Sequence, residues 1–130
     1  MAAAQTTLKA AGAKRVLPLK VSGPFHSALM ADAAEGMRAV LADVPFAAPK
    51  VRFVSSVSAR EEQDPERIRE LLWRQLTSPV RWTDVMALLG PVQALELGPG
   101  KVLEGIAKRM DGAPAVTAAG DLESVAALVA

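Results

Sequence analysis

A single histidine, His26, sits in the hexapeptide Ser22-Gly23-Pro24-Phe25-His26-Ser27, between a short aliphatic run and a longer amphipathic one. Ser-Gly-Pro is a turn signature, so the imidazole is expected on a strand-to-helix loop, where α/β proteins place reacting groups. An imidazole exchanges a proton near neutral pH, and general-base catalysis is the chemistry to expect of it. From position alone a surface or packing histidine is an equal reading. The serines that could act as its nucleophile are Ser22, Ser27, Ser55, Ser56, Ser58, Ser78 and Ser124, and none lies in a G-x-S-x-G elbow. Cysteine is absent, which excludes disulfides, thiolate zinc sites and thiol nucleophiles within this chain. The segment Gly98-Pro99-Gly100-Lys101 invites a phosphate-loop reading but lacks the glycine spacing and Lys-Ser/Thr ending of a Walker motif. It reads as a strand-to-helix turn near the site.

The elements that must position these residues follow from periodicity. Met1 to Gly12 is alanine-rich and reads as the tail of a helix. Val16, Leu17, Leu19 and Val21 suit a strand over Arg15 to Val21, with Pro18 pointing to an edge or a bulge. From Ser27 the apolar positions Leu29, Ala33, Met37, Val40, Leu41 and Val44 recur at helical spacing until Pro45 and Pro49 stop them. Val51 to Val57 reads as a strand with Val51, Phe53 and Val57 on its buried face. Asp64-Pro65-Glu66 is a helix start, combining an N-cap carboxylate, a proline at the first position and an acid near the positive end of the dipole. That helix is expected through Ile68, Leu71, Leu72 and Leu76 to the Thr77-Ser78-Pro79 break. Trp82, Val85, Met86 and Leu89 form a shorter one ending at Gly90-Pro91. Val92 to Leu97 is a strand, Val102 to Ala107 a helix closed by Asp111-Gly112, Ala115 to Ala118 a strand, and Asp121 caps a final helix. Strands alternating with helices predict an α/β fold with at least partly parallel strands.

Composition narrows the function classes. Of 130 residues, 51% are hydrophobic, enough to bury a core in one soluble globular unit. Lys and Arg total 15 against 14 Asp and Glu, a balance that excludes the strong field of a nucleic-acid binder. Charges or prolines interrupt every stretch short of the roughly 20 apolar residues of a membrane span, and no secretory signal core opens the chain. A cytoplasmic protein with no membrane association is the expectation.

Three ordered strings carry a family resemblance. Val21-Ser22-Gly23-Pro24-Phe25-His26-Ser27-Ala28-Leu29-Met30 resembles the active-site histidine segment of malonyl-CoA:acyl carrier protein transacylases. Trp73-Arg74-Gln75-Leu76-Thr77-Ser78-Pro79-Val80-Arg81-Trp82 is similar to the family's Arg-Gln-Leu segment with its following Pro-Val and tryptophan. Glu96-Leu97-Gly98-Pro99-Gly100-Lys101-Val102-Leu103 is similar to its Gly-Pro-Gly-Lys segment. The resemblance implies malonyl transfer from malonyl-CoA to the phosphopantetheine thiol of acyl carrier protein in fatty-acid synthesis, by a Ser-His ping-pong cycle. It assigns His26 the role of general base and Gln75 that of orienting the imidazole through its main-chain carbonyl; a solvated helical glutamine is the other reading of Gln75. It gives Phe25 a part in excluding α-branched acyl groups, although plain packing accounts for a phenylalanine there equally well. No cofactor is implied beyond the two substrates, and no metal. Acyl carrier proteins are acidic in this family, so Lys14, Arg15 and Lys20 could guide docking; ordinary solvated charge is the other reading.

The resemblance also implies an α/β-hydrolase-like large subdomain and a ferredoxin-like small one. Residues 1–22 would be the remnant of the small subdomain, its last strand included, and residues 23–130 the C-terminal part of the large one. The departure is substantial: the serine elbow and the arginine that would pair with the malonyl carboxylate belong to the family's N-terminal portion and have no match here. This chain alone is therefore expected to be inactive. The alternative function is a non-catalytic α/β fragment or interaction module that needs a separate N-terminal half.

Overall fold

The computed structural model describes residues 2–17 and 21–129. It contains α1 (Ala2–Ala10), a 3-10 turn (Ala28–Met30), α2 (Ala31–Ala42), α3 (Pro65–Arg74), α4 (Trp82–Leu89), β1 (Gln93–Leu97), α5 (Val102–Ala107), β2 (Ala115–Ala119) and α6 (Leu122–Val129). The alternation of strand and helix predicted for the second half is present. β1 and β2 pair in parallel, in register from Gln93 opposite Ala115 to Leu97 opposite Ala119, with α5 as the crossover. A two-residue turn cannot join parallel neighbours, so the helix between them is a requirement of the pairing.

The helix that matters most to the site is α3. Asp64 caps it, its Oδ1 accepting from the Glu66 N–H at 3.0 Å, and Pro65 occupies the first turn, where its missing N–H costs nothing. Ile68 and Leu71 are buried, while Arg67 and Arg74 both pair with Glu70 on the outer face. The helix stops at Arg74, earlier than Leu76, because the Arg74 carbonyl accepts from the N–H groups of Thr77 at 3.1 Å and Ser78 at 3.0 Å and folds residues 75–77 into a turn. α2 packs against α3 through Ala34, its buried residue. The apolar stripe predicted for α2 meets little: Leu29, Met37, Val40 and Val44 are exposed.

Two expected strands differ from the structure. Val51 to Val57 forms no strand; it makes one antiparallel bridge, Val54 with Glu61, flanked by hydrogen bonds from Glu62 N to Phe53 O and from Ser55 N to Arg60 O. The side chains of Ser55 and Ser58 take the backbone N–H groups of Val57 and Arg60, closing a tight turn that competes with a longer ladder. Val51 is 76% exposed and so does not share a buried face with Phe53 and Val57. For the strand expected over Arg15 to Val21, residues Pro18, Leu19 and Lys20 lie outside the described residues, and Arg15, Val16, Leu17 and Val21 are irregular.

Among the described residues the buried apolar set is Ala34, Ile68, Leu71, Val85, Met86, Ala107, Pro114 and Ala119. Much of the remaining aliphatic surface is bare, including Leu95 and Leu97 on β1. No helix among the described residues is long and apolar enough to cross a membrane.

Candidate active site

His26 enters the structure on a tight loop and meets the C-terminal turn of α3, 49 residues further along the chain. Its Nδ1 lies 2.8 Å from the Gln75 carbonyl oxygen, and its backbone N–H donates to the next carbonyl, Leu76 O, at 3.0 Å. Carbonyls near a helix C-terminus lack intrahelical donors, so His26 satisfies two of them at once. A carbonyl can only accept, which puts the imidazole proton on Nδ1 and leaves the Nε2 lone pair facing outward. Among the described residues Nε2 has no hydrogen-bond partner, and the imidazole is exposed. The site can take a proton from a group brought to Nε2.

The loop holds His26 at φ +61°, in the left-handed region. Histidine is among the non-glycine residues enriched there, yet such backbone costs on the order of 1–3 kcal/mol. Hydrogen bonds at roughly 1 kcal/mol each offset it: the two from His26 and a third, from Ser27 Oγ to Pro24 O at 2.6 Å, which closes the loop beneath it. Phe25 is 55% exposed, and its ring lies over Gly23. A Cβ on Gly23 would stand 3.2 Å from two ring carbons, so the glycine there answers a need for close approach. Gln75 is the residue after the last helical turn of α3, its N–H bonded to Leu71 O. It also lines a cleft of about 240 Å³ with Phe53, Ile68, Leu72 and Trp82.

No serine hydroxyl among the described residues is bonded to the imidazole; that of Ser27, the nearest in sequence, is committed to Pro24 O. No group of three or more His, Asp or Glu among the described residues could hold a metal ion.

The Gly98-Pro99-Gly100-Lys101 turn links β1 to α5, with φ of +129° at Gly98 and +109° at Gly100. The start of α5 is occupied from within. The Glu96 carboxylate accepts from Leu103 N at 3.0 and 3.1 Å and from Glu104 N at 3.0 Å. Those N–H groups, Glu104's first and then Leu103's, hold the Glu96 carboxyl below the usual carboxylate range. Donors that a phosphate would need are thus already used, which favours the plain-turn reading.

No protein-family model matches the chain. Individual proteins do. The malonyl CoA-acyl carrier protein transacylase of Salmonella typhimurium is 49% identical over 105 residues, covering 78% of this chain and 34% of that protein, and the alignment falls in the C-terminal part of such relatives. This chain matches the C-terminal part of malonyl-CoA:acyl carrier protein transacylases. Among solved structures, an acyl carrier protein S-malonyltransferase from Vibrio cholerae superposes with a TM-score of 0.81 at 43% identity, covering 96% of this chain and 42% of that one. A malonyl-transacylase solved in complex with its type II PKS acyl-carrier protein gives a TM-score of 0.81 at 44% identity, over 95% and 41% of the two chains. The chain therefore spans about a third of the length of the curated transacylase shown here.

The structure brings His26 and the Gln75 carbonyl together, while Phe25, adjacent to His26 in the chain, turns its ring onto Gly23. Three contributors carried little sequence signal. The Leu76 carbonyl and the Pro24 carbonyl act through the main chain, which residue identity does not reveal. Glu96 is a strand glutamate seven residues before the helix N–H it caps, and only the intervening Gly-Pro-Gly turn hints that it folds back.

Proposed function

We propose that this chain supplies the general base of a malonyl-CoA:acyl carrier protein transacylase of fatty-acid synthesis. The observation that carries the reading is the 2.8 Å contact between His26 Nδ1 and the Gln75 carbonyl, which directs Nε2 outward as a proton acceptor. Nε2 takes the proton of a serine hydroxyl as its oxygen attacks the malonyl thioester carbonyl. Coenzyme A leaves as its thiol, carrying a proton, and malonate remains as a serine ester. The phosphopantetheine thiol of acyl carrier protein then gives its proton to Nε2 and attacks the ester, and the serine is regenerated. Gln75 acts through its carbonyl, as the acid of a hydrolase triad does through its carboxylate. Phe25, next to the base, narrows the space for an acyl group branched at its α-carbon. Lys14 and Arg15, both exposed, provide positive charge for an acidic carrier protein.

The serine elbow and the carboxylate-binding arginine come from an N-terminal segment, because the sequence in hand has no G-x-S-x-G. The chain alone is inactive in malonyl transfer. The test is complementation: an N-terminal transacylase segment bearing the elbow is combined with this chain, and transfer from malonyl-CoA to carrier protein is followed. Activity that appears only with both parts, and is lost in His26→Ala, supports the reading. Transfer by the chain alone, or a reconstituted enzyme indifferent to His26→Ala, rejects it. Failure of every combination favours the second reading, a non-catalytic α/β fragment, to which the missing elbow already points.

A further inference from the structure

We infer that Ser27 is a positioning residue for the imidazole, acting through its hydroxyl on the Pro24 carbonyl. The inference rests on the reading of His26 as the base. The loop around His26 has little apolar anchorage: Val21, Phe25 and Leu29 are 71%, 55% and 81% exposed. Its conformation therefore depends on hydrogen bonds, and their arrangement is asymmetric. His26 reaches outward to the α3 turn with its backbone N–H and Nδ1. Ser27 ties the Phe25–His26 turn to itself, donating from Oγ to Pro24 O at 2.6 Å, while its own carbonyl accepts from Met30 N at 3.0 Å and begins the turn into α2. The hydroxyl bond spans three residues and encloses the +61° φ of His26. Without it, fewer bonds oppose relaxation of the left-handed residue toward ordinary backbone, a movement that swings the ring away from Gln75 O.

The hydroxyl is no candidate nucleophile in this arrangement, because its proton is given to Pro24 O and not to the imidazole. A serine beside a catalytic histidine invites that assignment. The geometry gives it the opposite part, holding the base in place for a nucleophile from elsewhere.

The full chain tests this without any transfer assay, because it has one histidine and so one set of imidazole signals. The chain is labelled with 15N in the histidine ring, and two-bond nitrogen–proton correlations are recorded at a pH where the ring is neutral. The wild-type ring is expected with Nδ1 at the protonated, pyrrole-like position and Nε2 at the bare, pyridine-like position. Ser27→Ala is expected to shift both nitrogens toward the averaged positions of a free imidazole, where the Nε2–H form dominates. Ser27→Thr, which keeps a hydroxyl, restores the wild-type pattern; Ser27→Val, of the same shape without it, does not. Backbone amide spectra accompany each variant. Wild-type ring shifts retained in folded Ser27→Ala and Ser27→Val chains would overturn the inference. So would a Ser27→Val chain that unfolds while Ser27→Thr stays folded, since that assigns the hydroxyl to general stability. A wild-type ring that is already averaged removes the His26–Gln75 contact itself, and with it the base reading on which Ser27 depends.

Discussion

At the scale of single residues, the site is built from main-chain acceptors more than from side chains, and this has consequences for mutation. The Gln75 carbonyl accepts from His26 Nδ1 at 2.8 Å, while among the described residues no hydrogen bond to the site involves the Gln75 side-chain amide. Gln75→Ala is expected to leave transfer in a reconstituted enzyme near wild type, within the few tenths of a kcal/mol usual for substitutions that remove no partner. His26→Ala is expected to cost about a hundred- to ten-thousand-fold in kcat, measured on the same preparation. Phe25 offers a separate handle. Its ring lies over Gly23, one residue from His26, and Phe25→Ala is expected to raise the use of methylmalonyl relative to malonyl thioester in the reconstituted enzyme by about 10- to 200-fold, read from the ratio of kcat/KM values. An unchanged ratio would return Phe25 to simple packing.

The elements explain both what the sequence disclosed and what it concealed. α3 was readable because its signals are local: Asp64 at the cap, Pro65 behind it, Ile68 and Leu71 one turn apart. Asp64→Ala is expected to lower stability by about 1 kcal/mol in denaturant unfolding. β1, α5 and β2 were readable for the same reason, their turns marked by glycine. The bond between His26 and Gln75 was reached through family resemblance, since no local rule joins residues on different elements. The expected strand at Val51 to Val57 failed because β-branched residues promise a partner that pairs with them, and the described chain offers Val54 only Glu61. Glu96 was hidden likewise, a strand residue whose function lies at the start of α5. Its folded carboxyl is held low by backbone N–H donors. The stabilisation it gives is therefore full above the ordinary carboxylate pKa and is lost as pH falls through the lowered one. Glu96→Gln is expected to reduce the melting temperature at neutral pH, with the difference from wild type shrinking as the solution is acidified. A difference constant with pH would show that the charge on Glu96 is not what caps α5.

On the scale of the whole molecule, the parallel pair β1–β2 is the feature that sets how the chain must live. Parallel sheets in α/β proteins are covered on both faces, and two strands rarely stand alone. Leu95 and Leu97, on one face of β1, are 52% and 71% exposed, and on α2 Val40 is 65% exposed. The N-terminal segment required by the proposed function is the occupant expected on the β1 face. Leu97→Glu should be tolerated in the isolated chain, where the side chain meets water, yet weaken complementation tenfold or more, because docking would bury an unpaired carboxylate. Titration of the N-terminal segment against each chain, followed by recovered transfer, measures the difference. The separation of 49 residues between His26 and its acceptor has a further meaning in time. During synthesis the histidine leaves the ribosome well before the carbonyls that orient it, so the imidazole stays an ordinary, tumbling side chain until the α3 turn is made and docks. Alignment of the ring therefore waits on the α3 turn, and its tautomer reports that this contact has closed.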